Sequence, residues 1–247
     1  MGIGVKKFMR IMSFNIDSGI GTDLEFMPER SLEVIRNAAP DAAALQEVAI
    51  CRPNRPPVNY PELAGSSLGL HSAYGKTLDF DNGGQFGNAV LSRYRIEPME
   101  ILPLPVPSGA EPRAALIVKV LAEKIFYLIS LHLPFQGEFP DDDSVRKNQL
   151  AILQKHVEEK SYFPALLAGD LNNGEHSPAV CFLREKWDIA NDLGEGLPTA
   201  KTGKFGWMQI DFICGYPKGA WIFRRFERLD ALGASDHYPI VAEIDFV

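Results

Sequence analysis

The stretch Ala165-Leu166-Leu167-Ala168-Gly169-Asp170-Leu171-Asn172-Asn173 constrains this chain more than any other. A short apolar run breaks off into an acid and two amides. An apolar run without polar alternation reads as a strand covered on both faces, which demands layers on either side of its sheet. Gly169 carries no side chain near the strand's end, so backbone or ligand can come close there. Asp170 and Asn172 stand two apart and point to one side if the extended geometry continues. A carboxylate and an amide at the carboxyl end of a buried strand lie where α/β folds place their sites. Taken alone, a solvated turn is the plainer reading, because Asp, Asn and Gly are the commonest turn residues.

The rest of the chain repeats the pattern. Residues 8–15 read as a mostly apolar strand ending at Asn15, with Asp17 in the loop beyond. Residues 28–38 read as a helix, with Pro28 and Glu29 in its first turn and Leu32 and Ile35 on one face. Residues 42–48 form a short run ending in Gln46-Glu47-Val48. Its alanines leave helix open by propensity, while brevity and the preceding Pro40 favour strand. Residues 51–66 read as a loop, with helical pattern resuming near Tyr60 to Leu70. Asp81 to Gly84 is a turn and Asn88 to Arg93 a strand. Five prolines from Pro98 to Pro112 exclude regular structure there except an extended edge. Ala114–Leu121 and Ile125–Leu131 are apolar, β-branched arms of a hairpin whose second arm delivers His132. Glu138 to Asp143 is an acidic loop with Asp143 as a helix cap, followed by a helix over 144–159 with Leu150, Leu153 and Val157 on one stripe. Ser177-Pro178 opens a helix reaching about Trp187, and 191–206 is a glycine-containing loop. Strands are expected at 209–214, 221–226 and 238–246, the last introduced by Ser235-Asp236-His237.

Strands outnumber helices, some in hairpins and some followed by helices. That mixture predicts two packed sheets with helices outside, and 1–247 as one domain. The formal net charge of −7 argues against broad, nonspecific polyanion binding. Three widely spaced cysteines, Cys51, Cys181 and Cys214, include no zinc-type or redox-type pair and fit a reducing, cytoplasmic setting. The N-terminal residues read as neither a secretory signal nor an anchor, and no membrane segment is expected.

Six stations of acids, amides and histidines at strand ends are hard to explain as turns. The ordered set Ile11-Met12-Ser13-Phe14-Asn15-Ile16-Asp17, Leu45-Gln46-Glu47, Gly87 to Arg93, Ser130-Leu131-His132-Leu133, Gly169-Asp170-Leu171-Asn172, Gln209-Ile210-Asp211-Phe212-Ile213 and Ser235 to Ile240 resembles the endonuclease/exonuclease/phosphatase superfamily. The matches span residues 11 to 240 in the family's order. The resemblance implies a deoxyribonuclease I-like, four-layer α/β sandwich, two mixed sheets flanked by helices. It also implies a divalent-metal-dependent phosphoester hydrolase.

Such chemistry needs an in-line nucleophile, neutralisation of the phosphoryl oxygens and help for the leaving oxygen. A hard cation, Mg²⁺ or alternatively Mn²⁺, takes oxygen ligands. By resemblance Glu47 is the first ligand, with Asn15 and Asp236 in or beside the metal shell. Asp17 could support a second metal position, an ordinary loop aspartate being the equal alternative. Asp170 is implied to orient or deprotonate the attacking water, Asn172 to donate to a phosphoryl oxygen, and His237 to contact the phosphate. Asp211 would hold His237 in one tautomer, as in a catalytic triad, and His132 would serve as a second donor or acid. Arg113 could bind phosphate as a fork donor, with a solvated strand-end arginine equally open. Arg224, Arg225 and Arg228 form a basic cluster better read as an outer strand face. The expected partner is a phosphoester substrate, small molecule or nucleic acid, with no obligate protein partner. The alternatives are a nuclease using the same site and a noncatalytic phosphate-binding module. Sparse Lys/Arg clustering weighs against tight duplex binding.

Overall fold

A computed structural model describes residues 8–135, 137–138, 142–194, 196–202, 206–230 and 233–247. One mixed sheet contains β1 (Met9–Asn15), β2 (Ala42–Ile50), β3 (His71–Asp79), β4 (Gln85–Ser92), β13 (Trp221–Arg228) and β14 (Ile240–Phe246). Its spatial order is β13-β14-β1-β2-β4-β3. The second contains β5 (Ile96–Leu104), β6 (Arg113–Leu121), β7 (Ile125–His132), β8 (Ala165–Asp170), β9 (Asp188–Ile189) and β12 (Asp211–Tyr216) in the order β5-β6-β7-β8-β12-β9. Each sheet has a parallel pair at its middle, β1 with β2 and β7 with β8, while the other neighbours are antiparallel.

The inner faces meet in a core that includes Ile11, Ala44 and Val90 from the first sheet and Leu116, Val118 and Leu166 from the second. Helices α1 (Pro28–Ala38) and α2 (Tyr60–Leu68) cover the first sheet through Leu32, Ile35 and Ala64. Helices α3 (Asp142–Lys160) and α4 (Pro178–Arg184) cover the second through Leu150, Leu153, Val157 and Leu183. This is the expected four-layer sandwich. The double coverage explains why β8 reads as an unbroken apolar run, with all six of its residues buried. Among the described residues, no helix is long and apolar enough to cross a membrane.

Two open local readings resolve as favoured, and others change. The alanine-rich run is strand, because β2 is buried between neighbours where small side chains let the two sheets close up. The proline-rich stretch is an edge strand, β5, with a register shift at Pro98 where a ladder donor is missing. Strand β3 carries no clear alternation, since it is a half-exposed edge. The 191–206 segment is not simply a loop. It holds a 3₁₀ turn at Ala190–Leu193 and strand β10 (Ala200–Thr202), which pairs with β11 (Gly206–Met208). Asp143 lies inside α3 rather than capping it, and its carboxylate accepts from Arg146 Nη2 (2.7 Å) and Asn173 Nδ2 (3.0 Å). Part of the expected acidic loop, residues 139–141, lies outside the described residues.

Candidate active site

The carboxyl ends of the two parallel pairs open on the same edge of the sandwich. Asn15 closes β1, His132 closes β7 and Asp170 closes β8, with His132 opposite Asp170 in register. Asp211 opens the antiparallel β12 directly across from Asp170. Glu47 reaches the site through a β-bulge, where Gln46 and Glu47 together oppose one residue of β4. Its φ of 55° is left-handed, a conformation that costs on the order of 1–3 kcal/mol outside glycine. His237 precedes β14 and is pinned by a bridge to Ala200 and by its backbone N–H donating to Ser235 Oγ (3.2 Å). Ser235 Oγ in turn donates to the Asn15 carbonyl at 2.7 Å, tying that segment to the end of β1.

Both readings of the Asp170–Asn172 stretch hold. The extended geometry stops at Asp170, and Asn172 turns left-handed with φ 49°. Asp170 Oδ1 accepts the Asn172 N–H at 2.8 Å, a local turn built on the strand's last side chain. The turn carries Asn172 Nδ2 to His132 Nε2 (3.1 Å) and to the Leu133 carbonyl (3.0 Å). Asp170 Oδ2 accepts from Asn15 Nδ2 at 3.1 Å, and the same amide donates to Glu47 Oε1 at 2.9 Å. His237 Nδ1 donates to Asp211 Oδ2 at 2.9 Å, while its Nε2 lies 3.6 Å from Asp170 Oδ2. His132 Nε2 is also 3.6 Å from Asp170 Oδ2. Asp170 is therefore the hub, flanked by two imidazoles, a backbone N–H and an amide.

The two histidines carry opposite protonation. Burial, then Arg113 and His237, hold His132 well below the usual imidazole range, so it is neutral and accepts from Asn172. Burial also pulls His237 down, but Asp211 and Asp170 together outweigh it and hold the ring well above that range. Asp170 is pushed up to about 7 by burial and by Asp211, with His237 opposing. Asp17 is likewise pushed up to about 7, by burial, Glu47 and Asp236, against the pull of Arg52.

One group of ligands has the geometry for a divalent cation, and a second, looser group of acids lies beside it. Asp170, Asp211 and His237 offer ligand atoms within 4.8 Å of one another, so this buried triad could coordinate one. Asp211 Oδ1 is buried without a hydrogen-bond partner, an orphan that a cation would satisfy. The second group is the acid cluster of Asp17, Glu47 and Asp236, where burial first and then repulsion from Glu47 and Asp236 raise Asp17. The residues expected to be catalytic thus make the tighter cluster, and those expected to hold metal make the looser one.

Glu47, His132, Asp170, Asn172, Asp236 and His237 all line one cleft of about 190 Å³, and Arg113 lines it too. Arg113 is 7% exposed and ion-paired with Glu111, so it is not the solvated strand-end residue. Its Nε is buried without a hydrogen-bond partner. Burial lowers its pKa while Glu138, Glu47 and Asp170 oppose. Asp17 is ion-paired with Arg52 at 3.4 Å. Arg224 and Arg225 pair with Asp245 and Glu227, consistent with an outer strand face. Sequence reasoning placed Ser235 in a motif without a role and passed over Arg52, Glu111, Phe135 and Arg146. Only Phe135, an aromatic in a loop three residues past His132, left a local signal.

Fold and cleft together define a metal-assisted phosphoesterase or nuclease type of site, on a deoxyribonuclease I-like sandwich. The model of the Endonuclease/Exonuclease/phosphatase family matches residues 12–237, and the chain belongs to that family. Protein YbhP of Escherichia coli K12 is 30% identical over an alignment of 176 residues, and the match covers 66% of this chain and 66% of YbhP. The crystal structure of an endonuclease/exonuclease/phosphatase from Beutenbergia cavernae superposes with a TM-score of 0.82 at 24% identity, over 98% of this chain and 72% of that one. D. rerio TDP2, complexed with single strand DNA product, superposes with a TM-score of 0.70 at 20% identity, over 97% of this chain and 100% of its own.

Proposed function

We propose that the protein is a divalent-metal-dependent phosphoester hydrolase in which an activated water attacks phosphorus in line. The observation that carries this reading is the convergence of Glu47, His132, Asp170, Asn172 and His237, from both sheets, on one cleft, with Asn15 and Asp211 hydrogen-bonded to them from behind. Asp170 is the water-activating base. A carboxyl raised to about 7 is matched to proton abstraction near neutral pH, and two hydrogen bonds fix its orientation. His237, protonated and locked by Asp211, donates to a phosphoryl oxygen and stabilises the charge that grows there. Arg113 offers its fork to the same group. The Asn172 side chain bonds His132 and the Leu133 carbonyl and its backbone N–H bonds Asp170, so Asn172 acts by positioning Asp170 and His132.

Glu47, with Asn15 and Asp236, would hold the cation, and Asp17 borders that position with Arg52 already at its carboxylate. The Asp170–Asp211–His237 triad is the alternative place for the cation. When bound, Mg²⁺ or Mn²⁺ supplies Lewis-acid neutralisation of the phosphoryl and leaving oxygens. Three free thiols support a reducing, cytoplasmic setting, and residues 1–247 read as one domain.

The test is turnover of bis(p-nitrophenyl) phosphate, p-nitrophenyl phosphate, plasmid, single-stranded DNA and RNA in Mg²⁺. The reading predicts that a small ester is the best substrate. The single-strand DNA product in D. rerio TDP2 favours a nuclease as the second reading, and cleavage of nucleic acid that weakens steeply with salt would establish it.

A further inference from the structure

We infer that Phe135 is a specificity-determining residue of this cleft, selecting phosphoesters whose organic group carries a flat, uncharged ring. The inference rests on the phosphoesterase reading and adds the substrate class. Phe135 lines the cleft and is 49% exposed. Pockets for organic groups are lined by apolar and aromatic side chains around a few placed polar groups, and Phe135 has that place here. The other aromatic in the lining, Phe86, is buried and packed against Phe80, with centroids 6.1 Å apart.

Phe135 is also presented on a fixed segment. The carbonyl two residues before it, Leu133, accepts from Asn172 Nδ2 at 3.0 Å. The carbonyl immediately before it, Pro134, accepts from the fully buried Arg146 at 3.1 Å. Asp143 bonds both Arg146 and Asn173, so the segment after His132 and the turn after Asp170 share one clamp. The backbone that carries the ring is therefore anchored beside the reacting groups, which lowers the ordering cost of stacking on it.

Charge at the cleft says what the ring should not carry. Arg113 is ion-paired with Glu111, and Glu138 adds a second carboxylate nearby. A phosphate can displace Glu111 from Arg113, but a further anionic group would meet two carboxylates. An uncharged aromatic ring meets no such repulsion and can lie against Phe135 in an offset or edge contact.

The test is ligand-observed NMR titration of the Mg²⁺-loaded full chain with phenylphosphonate and methylphosphonate, neither of which it can hydrolyse at phosphorus–carbon. Wild type should bind phenylphosphonate roughly tenfold tighter than methylphosphonate. Phe135→Ala should shrink that ratio to about threefold or less with the methylphosphonate Kd unchanged, and Phe135→Tyr should keep it. A ratio unchanged in Phe135→Ala, or an equal loss of both ligands, overturns the assignment while leaving the phosphoesterase reading standing. Failure of both phosphonates to bind wild type overturns the reading and the assignment together.

Discussion

Asp211→Asn separates what the buried triad does for chemistry from what it does for the fold. Asp211 is 1% exposed, its Oδ2 accepts from His237 Nδ1 at 2.9 Å, and its Oδ1 has no partner. An asparagine keeps the shape, and its carbonyl oxygen can still accept that proton. The negative charge is lost, however. Burial already pulls His237 down, and Asp211 is the larger of the two carboxylates holding it up. In a Ser-His-Asp triad the same exchange costs about 10⁴ in turnover. Here Asp170 remains 3.6 Å from the ring and retains part of the effect. The expected loss in kcat is therefore roughly 10²–10³, or about 3–4 kcal/mol of transition-state stabilisation. Stability should move the other way or not at all, because Asp170 loses a like-charged neighbour across the ladder. The assay is kcat and kcat/KM on bis(p-nitrophenyl) phosphate in saturating Mg²⁺, paired with a thermal melt. A kcat within about threefold of wild type would refute the role of Asp211. A large fall in Tm would make the loss one of folding.

Three further outcomes are expected. Gly169→Ala puts a Cβ 2.1 Å from the Leu131 carbonyl of the neighbouring parallel strand, so the sheet must spread. Overpacking of this kind costs about 1–3 kcal/mol, and a melt should fall by roughly 3–10 °C; an unchanged Tm contradicts the packing at that crossing. Glu47→Gln should weaken Mn²⁺ binding by at least tenfold in titration calorimetry, whereas an unaltered affinity would move the cation to the Asp170–Asp211–His237 triad. Asp17 supplies part of the pH dependence of the chelator-treated protein, alongside Asp170. Its carboxyl is raised to about 7, so between its ordinary value and 7 the folded state binds more protons than the unfolded state, and stability falls as pH rises. Asp17→Asn should therefore flatten the loss of Tm between pH 5 and 8 in EDTA, and the same slope in both proteins would refute the assigned burial and repulsion.

The sequence was most legible where burial leaves a plain local mark. β8 is covered on both faces, so its apolar run and abrupt polar end were visible in six residues. The same held for β1, for the hairpin of β6 and β7, and for the stripe on α3. Backbone geometry left no such mark. Nothing in Gln46-Glu47 announces a bulge with a left-handed glutamate, since the two-against-one pairing with β4 is set by a strand forty residues on. Nor does Asn172 announce its positive φ, although the turn propensity of Asp-Leu-Asn was real. The protonation states were hidden for a different reason. His132 and His237 are both buried, and only the placement of Asp211 and Arg113 makes one charged and the other neutral. Arg146 sits in a polar helical stretch, and its burial comes from the Pro134 carbonyl folding back over α3.

The most direct test of the central claim is phosphodiester hydrolysis followed through metal removal and return. The purified chain is stripped with EDTA, dialysed, and titrated with Mg²⁺ while bis(p-nitrophenyl) phosphate turnover is read, with Glu47→Ala and Asp170→Asn run alongside. Turnover should vanish in EDTA, return with Mg²⁺ in the wild type, and fail to return in either variant. Full turnover in EDTA, or restoration of both variants by Mg²⁺ alone, would contradict the account.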